Sequence, residues 1–172
     1  MPELLIQLTK RADGSAVLRC VRADGSATWQ RHRGRQQWFF PVHDLTHYAV
    51  ESELGFQRGF YGLMADGWDI EDTGGKGARG PLPEEAVIVE QIVGCLAAER
   101  ASGTEWPCMD FNQQAAVFAA AAGRPAPRAL TDADLARVRA RARELSAHWA
   151  ALGPGATLQL SFDRLRESQG AR

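Results

Sequence analysis

Two histidines four residues apart, His43 and His47, carry one carboxylate beside the first, Asp44, and another four residues beyond the second, Glu51. In an α-helix four residues advance about 6 Å and overshoot one turn by about 40°, so His43, His47 and Glu51 share a side. Two imidazoles at that separation can grip one divalent ion, as in helices that carry HExxH. The neutral ring is the ligating form, and the positive end of a helix favours it at His43. Asp44 stands where HExxH has its glutamate, and is read as a ligand or as the base for a metal-bound water. Glu51 lies about 12 Å from His43 along the axis, so it is either an optional ligand or the acceptor that fixes the ring of His47. Tyr48 is a further donor beside the pair. The competing reading is that the histidines hydrogen-bond within a core, Asp44 complements the helix dipole and Glu51 is solvated.

Two histidines leave an ion short of donors. Asp69, Glu71 and Asp72 offer hard oxygens in a loop soon after the motif, and Asp69 and Asp72 are taken as additional ligands. Residues 74–80 are glycine-rich and carry Lys76 and Arg79, cations able to hold a phosphate or carboxylate of a small-molecule substrate under a flap. That loop lacks GxxxxGK[ST] and no strand leads into it, so no nucleotide cofactor is expected. Glu90 and His148 fall on helical stretches from which either can face the site, although each alone is more often structural. No serine lies in a GxSxG elbow. Cys20, Cys95 and Cys108 are odd in number and unclustered, and read as reduced, small hydrophobes. Arg137, Arg139, Arg141 and Arg143 alternate along a helix among Asp132, Asp134 and Glu144, which describes a solvated face and not a nucleic-acid grip.

For the motif to share a face, residues 42–54 must be helical; Pro41 suits the first turn and Gly55 the stop. Before it, residues 4–11, 16–22 and 27–32 read as strands separated by Asp13-Gly14 and Asp24-Gly25 turns. Trp38-Phe39-Phe40 is expected to anchor the helix on that sheet. Helices are expected over 56–65, 83–100, 110–122 and 131–152, the last opened by a capping box of Thr131 and Asp134. Leu158, Leu160 and Phe162 alternate in a final strand over 156–163. The expected fold is a single α+β domain over 1–172, an antiparallel sheet of about four strands, three N-terminal and one C-terminal, packed with four or five helices. A formal net charge of −1 supplies no global field toward nucleic acid or an anionic membrane. No apolar run approaches the ~20 residues that span a bilayer, and the N-terminus has no basic, then apolar, leader pattern, so a cytoplasmic protein is expected.

The segment Phe40-Pro41-Val42-His43-Asp44-Leu45-Thr46-His47-Tyr48-Ala49-Val50-Glu51, with Gly67-Trp68-Asp69 and residues 77–81 downstream, resembles a small uncharacterised bacterial family, a likeness that implies no activity. His43-Asp44-x-x-His47 also resembles the HDxxH zinc motif of the ubiquinone-biosynthesis accessory family, which implies His43, Asp44 and His47 as ligands. That family places a glutamate after eleven intervening residues, where this chain has Gly59, so quinone chemistry does not carry over. The leading expectation is a divalent-metal protein binding zinc, manganese, iron or nickel, and a small hydrolase in which Asp44 and Glu51 assist an activated water. The alternative is a non-catalytic interaction module in which the HDxxHxxxE helix is structural.

Overall fold

The computed structural model describes residues 2–34, 37–75 and 79–164. Three strands, β1 (Leu4–Lys10), β2 (Ala16–Arg22) and β3 (Ala27–His32), form an antiparallel meander, and β4 (Thr157–Phe162) pairs with β1 to give the order β3-β2-β1-β4. The two hairpin turns place Gly14 and Gly25 at φ of 78° and 85°, which glycine adopts without a Cβ clash. Alternation fixes the faces. Leu4, Ile6, Leu8, Leu18, Cys20, Leu158 and Phe162 point into the core, while Gln7, Arg19 and Gln159 align on the other face.

The helices cover the apolar face. They are α1 (Phe39–Leu54), α2 (Phe60–Ala65), α3 (Glu84–Ser102), α4 (Cys108–Ala121) and α5 (Asp132–Ala151), with a 3-10 turn over Ile70–Gly74. The fold is therefore α+β, as the alternation and periodicity indicate. The α5 start is the expected reciprocal cap: Asp134 N donates to Thr131 Oγ1 and Thr131 N to Asp134 Oδ2, each at 3.1 Å. Its other end is tied to the sheet by Lys10 Nζ, which donates to the carbonyls of Trp149 (2.7 Å) and Leu152 (2.8 Å), where the helix dipole favours a cation.

Helix α1 is the central element. Leu45, Tyr48 and Ala49 join the core beneath the sheet, whereas Val50 joins a second cluster with Val89, Val93, Phe111 and Val138 of the other helices. Every residue from Asp44 to Glu51 is buried, so the polar ones among them must find partners within the protein. The aromatic anchor is smaller than expected. Phe40 stacks on His32 of β3 with ring centroids 5.0 Å apart, but Trp38 is 71% exposed and Phe39 is about half exposed. The helix starts three residues earlier than Val42, and Pro41 still lies in its first turn, where no intrahelical N–H bond is lost.

Candidate metal centre

His43 and His47 project from α1 as the i, i+4 spacing requires, and the packing of α1 against α3 brings Glu90 to meet them. The two Nε2 atoms lie 3.2 Å apart, and Glu90 Oε1 lies 3.2 Å from His47 Nε2. One ligand atom from each of the three residues falls within 4.8 Å of both others. The rings are held by aromatic neighbours: Phe39 stacks on His43 at 5.1 Å, and Phe60 lies 5.1 Å from His47. His47 is 2% exposed and Glu90 53%, so the cluster has a buried floor and one side open to solvent.

Two of the three separations match the edges of a metal's ligand shell. With Zn–N of about 2.05 Å, the edges of a ligand tetrahedron are about 3.3 Å, close to both 3.2 Å distances. The ring nitrogens facing each other cannot both keep a proton there, so they meet through one shared proton or through an ion. Nδ1 of each histidine is buried without a hydrogen-bond partner among the described residues. Glu51 Oε1 is nevertheless 3.8 Å from His47 Nδ1, close enough to orient that ring with a small shift.

Charge divides the two rings. Burial, then the neighbouring charge of His47 and, more weakly, that of Arg100, push the His43 pKa below its ordinary 6.5, while Glu90 and Asp44 oppose the change. Burial also acts against a charged His47, but the carboxylates of Glu51 and Glu90 outweigh it and raise the value to about 9. Glu90 is held below its ordinary 4.5, since contact with His47 overcomes its partial burial. Without an ion, the cluster is thus a protonated His47 between two carboxylates, beside a neutral His43.

The other sequence candidates have different partners. Asp44 turns toward the sheet, where His32 Nε2 donates to its Oδ2 at 2.7 Å with both groups buried. It latches α1 to β3 and lies outside the cluster of His43, His47 and Glu90. Glu51 takes the supporting position: its carboxylate accepts from the N–H groups of Tyr61 (3.0 Å) and Gly62 (3.2 Å) while facing His47. It thereby caps the start of α2 from outside that helix. The Tyr48 hydroxyl donates to Ser161 O at 2.8 Å, joining α1 to β4.

The acidic loop does not reach the histidines. Asp69 is paired with Arg22 at 3.3 Å and its side chain is 65% exposed, and Arg22 further fixes the loop through Met64 O (2.7 Å) and Trp68 O (2.5 Å). Asp72 faces Arg79 at 3.7 Å, and Arg79 also donates to Gly67 O at 2.7 Å, so its charge is partly used within its own loop. Lys76 lies outside the described residues. His148 is exposed on α5 and is not part of the cluster.

Glu90 is the residue that sequence reasoning undervalued. Its signal is an acid bordering the apolar stripe Ala86, Val89, Val93 and Leu96, three or four residues from Ala86 and Val93 and therefore on the edge of the packed side. Compared with protein-family models, with curated proteins and with solved structures, the chain matches none.

Proposed function

We propose that the protein binds one divalent ion through His43 Nε2, His47 Nε2 and the Glu90 carboxylate. The observation that carries this reading is the convergence of His43 Nε2 and Glu90 Oε1 on His47 Nε2, each at 3.2 Å, with one ligand atom of each residue within 4.8 Å of both others. Two histidines and one carboxylate suit zinc, and also iron, manganese or nickel. Three protein ligands leave a position for water or substrate, the pattern of catalytic and not of closed structural zinc sites. The solvent-facing side at Glu90 gives that position access.

The reaction class that best suits such a site is hydrolysis. An ion held by His43, His47 and Glu90 would supply Lewis-acid chemistry, activating a water and polarising a carbonyl or phosphoryl oxygen of the substrate. Asp44 and Glu51 contribute by position: the first latches α1 to the sheet and the second orients His47. One observation favours the non-catalytic alternative. His47 already meets a ring nitrogen and a carboxylate without any ion, so the same three residues can serve as a closed polar clasp between α1 and α3.

Cobalt(II) titration separates the two readings. A metal centre gives visible absorption bands that saturate at one equivalent and are lost in a His43→Ala/His47→Ala variant. A clasp gives no bands that depend on these residues.

A further inference from the structure

Three arginines, Arg100, Arg139 and Arg143, line a cleft of about 390 Å³ between α3 and α5, with Leu96 and Ala142 among its apolar lining. Two are neutralised. Arg139 pairs with Glu99 and donates to Trp106 O at 2.8 Å, and Arg143 pairs with Glu105. Arg100 has no carboxylate within ion-pairing distance among the described residues. Its hydrogen bond there runs from Nη2 to Thr46 Oγ1 at 3.1 Å. Thr46 Oγ1 donates its own proton to Val42 O at 2.7 Å, so it can only accept from Arg100, and it fixes the guanidinium at the cleft.

A guanidinium has five N–H donors in a planar fork that matches two oxygens of a carboxylate or phosphate. With one N–H on Thr46, the rest of the fork has no protein partner among the described residues. The charged lining comprises three arginines and two glutamates, Glu99 and Glu105, and the excess positive charge sits on Arg100. An oxyanion arriving there breaks no ion pair, whereas at Arg139 or Arg143 it must displace a glutamate. The volume suits a small organic molecule. None of His43, His47 and Glu90 lines the cleft, but Thr46 directly precedes His47 and the charge of Arg100 is felt at His43, so the guanidinium joins the cleft to the turn of α1 that carries the histidines.

We infer that the cleft between α3 and α5 binds a small organic oxyanion, a carboxylate or phosphate monoester, with its charged end on Arg100 and its apolar body against Leu96 and Ala142, and that it is the substrate cleft of the metal centre. The second clause rests on the metal reading above; the first does not.

Isothermal titration calorimetry tests both clauses, using the full chain with phenyl phosphate, benzoate and neutral benzamide, metal-free and with one equivalent of zinc. At least one of the two anions binds the metal-free protein, and benzamide binds about tenfold more weakly or not at all. Arg100→Gln, which keeps an amide donor for Thr46, loses about tenfold or more, whereas Arg19→Gln, on the outer face of the sheet away from the cleft, stays within about twofold. Arg100→Lys, which keeps the charge without the fork, falls between, and thermal melts of each variant show that it is folded. Absence of anion binding, equal binding of benzamide, or an unchanged Arg100→Gln overturns the first clause. For the second, zinc tightens anion binding in the wild type, and in His43→Ala/His47→Ala adding zinc no longer changes the affinity. Zinc uptake that leaves anion affinity unchanged overturns it. If no zinc is taken up, the metal reading and the second clause fail together while the Arg100 result stands on its own.

Discussion

His47 is buried against a second imidazole and two carboxylates, which divide between its two ring nitrogens. Nε2 faces His43 and Glu90, and Nδ1 faces Glu51. A proton or a metal ion can sit on the Nε2 side, and Glu51 favours both by drawing on the far nitrogen. Glu51→Gln is therefore expected to weaken zinc affinity by about 10–100-fold with stoichiometry unchanged, measured by competition against a chromophoric chelator. Asp44 makes the contrasting prediction. Asp44→Ala leaves His32 buried without its acceptor, and urea unfolding is expected to show a loss of about 3 kcal/mol. On the proposed reading the same variant is expected to keep one zinc per chain, because Asp44 faces His32 of β3 and not the His43–His47 pair. A loss of zinc with stability intact assigns Asp44 to the metal instead.

Between elements, the site depends on how α1 is gripped from three directions: β3 through Asp44, α2 through Glu51 and α3 through Glu90. The contact with α2 is tight. A Cβ on Gly59 would lie 2.5 Å from the Glu51 carboxyl carbon, so Gly59→Ala pushes that carboxylate away from both the α2 start and His47. It is expected to lower stability by about 1–3 kcal/mol in chemical denaturation and to weaken zinc binding as well. The α1 pair was legible because i, i+4 spacing and the Pro41 and Gly55 boundaries are local properties of one helix. The supporting role of Glu51 was legible as one of two options, since the axial distance from His43 already argued against a shared ion. The partners of Asp44 and Asp69 were not, because His32 and Arg22 reach them through sheet-to-helix packing that no local spacing encodes. Glu90 lies 43 residues beyond His47, and only the register of α3 against α1 brings it to the ring. Trp38 and Phe39 read as anchors from hydrophobicity alone, yet α1 turns Phe39 toward His43 and leaves Trp38 in solvent.

For the whole molecule, the two histidines impose opposite pH dependences on the metal-free state. The folded-state value of His47 is raised from 6.5 to about 9, so its stabilising contribution is complete below 6.5 and is lost as pH rises toward 9. That of His43 is lowered from 6.5, so below 6.5 the unfolded chain takes up protons more readily and stability falls with falling pH. From this pair, metal-free stability is expected to peak near pH 6.5, and Glu90→Gln to flatten the alkaline side, as read by thermal melts across pH 5 to about 9. If zinc binds as proposed it must displace the His47 proton, and its affinity is then expected to rise over the interval in which metal-free stability declines. At zinc concentrations of about 100 times Kd, binding adds about 2.7 kcal/mol to stability. Among the described residues no helix is long and apolar enough to cross a membrane.

The most direct measurement is the metal content of protein purified without an affinity tag, by elemental analysis, beside the His43→Ala/His47→Ala and Glu90→Gln variants. The expected result is about one equivalent of zinc, iron, manganese or nickel per chain in the wild type, none in the double variant and a reduced, easily chelated amount in Glu90→Gln. Wild-type protein that holds no more metal than the double variant, after exposure to each ion, would contradict the metal centre and leave His43, His47 and Glu90 as a polar clasp between two helices.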